Sequence, residues 1–383
     1  MMQRTCRFVL LVALLLVPAL VLVSPAWATT PVASPVSVAE TFAAETTATV
    51  DFPVGLSLKA TLHIPDAGNV AEVDLLYQAG DDETERLVFV PTSGVRRLDG
   101  ATLAIDTTVN LQQAAVPPGL SISFRWRVVR DDQSQVFSQP EKTSWYDDRQ
   151  QWSEVQSDQV DLHYFGLDAG FAGRILDSAQ QTVTELEATY KLERSRMLSI
   201  WIYPDQASFR GSLPPNSRDT IAGGSFIGYS LITAVIPDGS DSEIGRVIPH
   251  EVSHQVLFQA TRNPFTILPV WFDEGMATHI QTGGTSTYMG MVVNAAVNGA
   301  LFDLQSLAAS FPYTPSQATL AYATSWSAIE YIRTTYGEDG LAAMIAAFGT
   351  GVPYDQVIQD ALGISMAQLN RDWKTWVMTR IPS

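Results

Sequence analysis

The sequence predicts an α+β protein in two parts, an all-β sandwich over residues 48–146 and then a mixed α+β domain over 150–383. Three observations carry that prediction. The first part is filled with short runs that alternate apolar and polar residues between Gly, Pro and Asp clusters. Beyond residue 150, strand-like runs interleave with stretches of helical spacing, and beyond 270 the pattern is helical. A length of 383 residues is also more than one ordinary hydrophobic core accommodates.

The N-terminus has the form of a targeting signal. Arg4 and Arg7 precede an apolar run from Phe8 to Val23, and Ala26-Trp27-Ala28 offers a small-residue cleavage site. Residues 1–28 are therefore expected to be a signal peptide and the mature protein to be secreted or extracytoplasmic. An uncleaved leader would instead anchor it to the cell surface, although the run is short for a span and no second one follows. Cys6, the single cysteine, lies in the leader, so the mature chain has neither a disulfide nor a thiolate metal site. Losing Arg4 and Arg7 moves the formal charge from −17 to −19, which argues against nucleic acid or an anionic membrane surface as partner.

Residues 29–47, rich in Ala, Thr, Val, Pro and Ser, read as a flexible lead. Strands are then expected over Leu56–Ile64, Val73–Tyr77, Arg86–Val90, Ala101–Thr108 and Ile122–Arg130, with Trp126 as a core anchor. Their spacing fits an immunoglobulin or fibronectin type III shape. His63, with no partner nearby in sequence, reads as structural. Ser144 to Arg149 reads as a hinge. A strand over Val155–Tyr164 precedes a helix over Ala169–Tyr190, where Ile175, Ala179, Val183 and Leu186 share one face. Leu198–Tyr203 and Leu231–Ile236 read as further strands, the second approached through Gly223 and Gly224. Those glycines suit either a close backbone approach or a bulge.

After the Pro237-Asp238-Gly239 turn, Ser240 and Glu243 have the spacing of a capping box, and an apolar helix runs from Ile244 to Ala260. Pro249 inside it predicts a kink or a late start. Helices ending at Gly337, Gly349 and Gly363 follow, and Ser365 and Gln368 cap a last one carrying Leu369, Trp373 and Trp376.

His250-Glu251-Val252-Ser253-His254 is the one motif with chemistry in it. Residues four apart on a helix stack about 6 Å from each other, so both imidazoles can reach one metal ion. Glu251, beside the first ligand, is placed to take a proton from an activated water instead of binding the metal. The pattern H-E-x-x-H reads as a zinc hydrolase site. The metzincin variant is excluded, because Leu257 and Ala260 stand where its Gly and third His belong.

Together with Trp271-Phe272-Asp273-Glu274-Gly275-Met276-Ala277 and Ala321-Tyr322-Ala323-Thr324-Ser325-Trp326, this motif resembles the peptidase MA-like (gluzincin) zinc metalloproteases across roughly residues 150–383. The resemblance implies a mixed α+β metallopeptidase domain holding one Zn2+ through His250, His254 and Glu274. It also implies Glu251 as general base, Tyr322 as hydrogen-bond donor to the oxyanion, and peptides or proteins as substrates. An edge strand before the metal helix would pair with the substrate, and the Leu231–Ile236 strand stands at that place. Asp273 replaces the Asn of many relatives, where it either orients a ligand or faces solvent. His279 reads as structural or as support for a ligand. The G-x-M-E-N motif of aminopeptidases is absent, which favours an endopeptidase. An exported binding or adhesion protein with an inactive metallopeptidase-like domain is the alternative.

Overall fold

The computed structural model describes residues 41–194, 196–213, 222–281, 283 and 285–381, and these described residues belong to one compact unit. The leader and the start of the lead lie outside the described residues. The lead ends earlier than expected, because a strand, β1 (Thr41–Asp51), occupies residues 41–47 as well. Its Ala/Thr composition resembles a linker, yet Phe42, Ala44, Ala48 and Val50 alternate inward against exposed neighbours.

The strands β2 (Gly55–His63), β3 (Val70–Ala79), β4 (Arg86–Phe89), β5 (Val95–Arg97), β6 (Thr102–Asn110), β7 (Leu120–Arg130), β8 (Gln135–Ser138) and β9 (Glu141–Trp145) complete the β region. The order is β4-β3-β7-β8-β1-β2-β6-β5, with β9 also on β7. β1 starts parallel to β8 at Thr41 and Phe42, then runs antiparallel to β2 from Ala43 to Asp51, joining two antiparallel halves. Leu58 and Leu62 of one half and Leu75, Phe124 and Trp126 of the other share one core, the sandwich the alternation predicts. The Trp126 indole donates to Thr46 Oγ1 at 3.0 Å. His63 is exposed at the end of β2.

The stretch Val155–Tyr164, expected as one strand, is a hairpin of β10 (Ser153–Gln156) and β11 (Val160–Tyr164). Ser157 Oγ turns it by accepting from the amides of Gln159 and Val160. Next come α1 (Ala169–Tyr190), β12 (Leu198–Tyr203), the short α2 (Gln206–Phe209), β13 (Gly223–Phe226) and β14 (Leu231–Val235). The second sheet has the order β10-β11-β12-β14-β13, parallel in the middle and antiparallel at both edges. The edge nearest the metal motif is thus β13. β14, expected at the edge, is internal, and all five of its residues are buried.

This sheet has two working faces. Ile200, Ile202, Ile232 and Ala234 point to α1 and the following helices, while Trp201, Tyr203, Leu231 and Val235 belong to the core of the β region. The segment read as a hinge is packed for the same reason. Trp145 is buried on Phe52, Asp147 is buried and holds Arg149 at 2.7 Å, and Trp152 abuts Trp201 at 4.7 Å.

The helices α3 (Asp241–Thr261), α4 (Val270–Ile280), α5 (Tyr288–Val297), α6 (Pro315–Gly349), α7 (Tyr354–Leu362) and α8 (Met366–Met378) close the fold. α3 starts on time and passes through Pro249 as one helix, with Ile244, Val247, Ile248, Val252 and Val256 buried on its core side. The capping box does not form, since Ser240 makes no side-chain cap and Glu243 turns to Arg246. Gly337 interrupts α6 at φ 74°, where glycine meets no Cβ penalty. Ser365 caps α8 by accepting from the Gln368 amide, and Trp373 is fully buried.

Candidate metal centre

α3 and α4 bring the site together. On α3 the residues opposite the buried stripe are Arg246, His250, Glu251 and His254, and all line a cavity of about 780 Å³. α4 is seated by Trp271 and Phe272, both fully buried, with the Trp271 indole donating to the Tyr354 hydroxyl at 2.6 Å. Seating those two rings turns Glu274, Thr278 and Gln281, spaced for one helical face, toward the same cavity.

The ligand atoms of His250, His254 and Glu274 lie within 4.8 Å of one another. Glu274 Oε2 is 3.3 Å from His250 Nε2 and 3.7 Å from His254 Nε2. It is buried between them and accepts no well-directed hydrogen bond. A tetrahedral zinc with bonds near 2.0–2.1 Å places its ligands about 3.3 Å apart, so the three groups fit that ion and leave a fourth position for solvent or substrate. Sequence reasoning had brought the same three residues together.

The other nitrogen of each imidazole has a neighbour on α4. His250 Nδ1 is hydrogen-bonded to Gln281 Oε1 at 3.1 Å, which directs its Nε2 into the cavity. His254 Nδ1 lies 2.9 Å from Asp273 Oδ2, an ion-pair distance without a well-directed hydrogen bond. Asp273 therefore faces His254 and not solvent. Gln281 was not picked out from sequence, because its meeting with His250 depends on how α4 is seated. His279, on the other side of α4, pairs with Glu330 at 2.9 Å and ties α4 to α6. Its role is structural.

Electrostatics follow from this crowding. Burial alone would lower the His254 imidazole, but the carboxylates of Asp273, Glu274 and Glu251 outweigh it and lift it to about 10. Burial pushes the Glu251 carboxyl up, with Glu274 and Asp273 adding to the rise and both histidines opposing it. Glu274 is also penalised by burial, yet His250, His254 and a hydrogen bond from Tyr322 bring it below its usual value. Tyr322 comes from the start of α6, where its ring stands edge-on to Phe311 at 5.0 Å and 6.3 Å from the His250 ring.

The glycines before β14 mark a close approach, not a bulge. A Cβ on Gly223 would lie 2.7 Å from Glu251 Oε1. With glycine there, β13 lies close against the Glu251 carboxylate, and a larger residue would make one of the two shift. Ser225 fastens the strand, donating to the Glu251 carbonyl at 3.3 Å and accepting from Gln255 at 2.9 Å.

Comparison with known proteins adds the family. A profile of the Peptidase MA superfamily matches residues 178–379. Among solved structures, a variant of the M1 zinc metallopeptidase from Deinococcus radiodurans aligns at 14% identity over 88% of this chain and 93% of its own, with a TM-score of 0.40. An aminopeptidase N family protein from Idiomarina loihiensis aligns at 10% identity over 87% of this chain and 76% of its own, with a TM-score of 0.42. No curated protein matches. The profile spans more than half of the 383 residues and takes in His250, Glu251, His254 and Glu274, and the chain belongs to the Peptidase MA superfamily.

Proposed function

We propose that this protein is an exported, zinc-dependent endopeptidase. The observation that supports it most is the convergence of three ligand atoms, from His250, His254 and Glu274, beside a desolvated carboxylate and next to β13, the edge strand of its sheet. His250, His254 and Glu274 would hold the zinc, which when bound supplies Lewis-acid polarisation of the water and of the scissile carbonyl. Glu251 takes a proton from the attacking water and returns it to the leaving amine, and its raised affinity for protons suits both halves of that exchange. Tyr322 presents its hydroxyl to the oxyanion. Asp273 and Gln281 hold the two imidazoles in place throughout. An extended peptide adds to β13 as a further strand, so its main chain is gripped whatever its side chains are.

The endopeptidase reading draws on the cavity wall. An aminopeptidase needs a carboxylate to hold the substrate's ammonium, and among the described lining residues the acids are Glu251, Asp273 and Glu274, which this reading assigns to the water, to His254 and to the metal. Export rests on the Arg4–Ala28 leader, and no helix among the described residues is long and apolar enough to cross a membrane. The test compares residues 29–383 with the same protein carrying Glu251→Gln, by metal analysis and by cleavage of internally quenched peptides. One zinc in each with cleavage only by the parent is expected. Zinc in both without cleavage of any peptide would instead support a binding protein.

A further inference from the structure

We propose that Arg246 is a substrate subsite, reading a carboxylate one to two residues beyond the scissile bond on the leaving-group side. The inference rests on the peptidase reading above and specifies what that peptidase prefers.

Two observations place it. Arg246 is the one arginine or lysine among the described residues lining the cavity, and it precedes His250 by four residues on the same helix. That is one turn, about 6 Å along α3. The direction of the bound peptide comes from β13. Gly223 lies over Glu251, whereas Ser225 reaches on to Gln255, so β13 and α3 run the same way. A peptide added antiparallel to β13, the more stable pairing, runs from the Phe226 end toward the Ala222 end. It passes Glu251 first and the Arg246 turn afterwards. Extended chain advances about 3.3 Å per residue, which sets the offset at one to two residues past the cleaved bond.

The chemistry is that of a guanidinium on a carboxylate. Arg246 Nη2 is 2.5 Å from Glu243 Oε2, and Nε is 3.3 Å from Oε1, so Glu243 braces one edge of the fork. The side chain remains 40% exposed at the cavity. A planar fork held from behind is suited to bidentate capture of a carboxylate in front. The carboxylate comes either from an Asp or Glu side chain or from a free C-terminus, and the two differ in experiment.

The test uses zinc-loaded protein carrying Glu251→Gln, which binds without turnover, and N-terminally fluorescein-capped hexapeptides. One pair ends in a carboxylate or an amide, and a second pair, both amidated, carries Asp or Asn after the cleavage site mapped with the parent enzyme. Fluorescence anisotropy should show tighter binding of the acidic member of at least one pair, by about tenfold. Arg246→Gln should collapse that ratio toward one, and Glu243→Gln, which frees the fork, should raise it. The pair that responds identifies the source of the carboxylate. Equal affinity within both pairs, or a preference that survives Arg246→Gln, would overturn the subsite. Failure of the parent to cleave any peptide would overturn the peptidase reading separately, because the carboxylate–amide pair needs no mapped cleavage site and its binding comparison does not depend on turnover.

Discussion

His254 sets the terms on which this site takes up metal. In the metal-free protein its imidazole is lifted to about 10 by Asp273, Glu274 and Glu251, so at neutral pH it carries a proton that incoming zinc must displace. Uptake therefore releases protons at any pH below about 10, and zinc affinity should rise about tenfold per pH unit for one proton. Calorimetry at pH 7 in two buffers of different ionisation enthalpy should count about one proton released; a count near zero would mean that the imidazole is already neutral. Asp273→Asn should reduce that count and weaken zinc binding by about 10- to 100-fold, measured by competition with a chelator. His250, Glu251 and His254 were legible in sequence because their relation is set by one helical turn. Glu274 was legible only through the resemblance, and Gln281 not at all, since its meeting with His250 depends on how α4 is seated against α3.

At the level of elements, two glycines decide where things lie. Gly275 lets α4 rest on the α6 backbone, for a Cβ there would be 2.8 Å from Ile329 Cγ1 and 2.9 Å from the Ser325 carbonyl. Backbone does not yield as a flexible side chain does. Gly275→Ala should cost about 1–3 kcal/mol, seen as a lower denaturant midpoint at unchanged slope. Gly223→Ala would push directly on Glu251. If Glu251 is the base as proposed, this should lower kcat by about tenfold or more while zinc content holds, because misplacing that carboxylate by an ångström costs rate, not metal; an unchanged kcat would show that β13 yields instead. Helices and their glycine stops were readable from local spacing. Which strand forms the sheet edge was not, because pairing partners are distant in sequence and nothing within Leu231–Val235 announces a neighbour on each side.

For the molecule as a whole, the order of parts was legible and their relationship was not. The β region and the metallopeptidase region follow one another as the change in periodicity predicts, but Trp201, Tyr203, Leu231 and Val235 complete the core of the first from within the second. A strand apolar on both faces shows that it is covered twice without showing by what. Arg86 adds a polar tie, donating to the Tyr229 hydroxyl at 3.0 Å between β13 and β14. Thermal unfolding of residues 29–383 should accordingly be a single transition, and residues 150–381 alone should fail to fold, with no cooperative transition by calorimetry. Two separate transitions in the intact protein would contradict the shared core.

That shared wall also gives the junction an optical signature of its own. Trp152 and Trp201 stand 4.7 Å apart at 71°, with Tyr203 edge-on to Trp152 at 5.1 Å. Aromatic rings fixed in an asymmetric cluster dominate near-ultraviolet circular dichroism, which vanishes when tertiary packing loosens even where helices and strands persist. Followed during zinc removal, that band says whether emptying the site is felt on the far face of the sheet. An unchanged band would make the wall a rigid footing for α3.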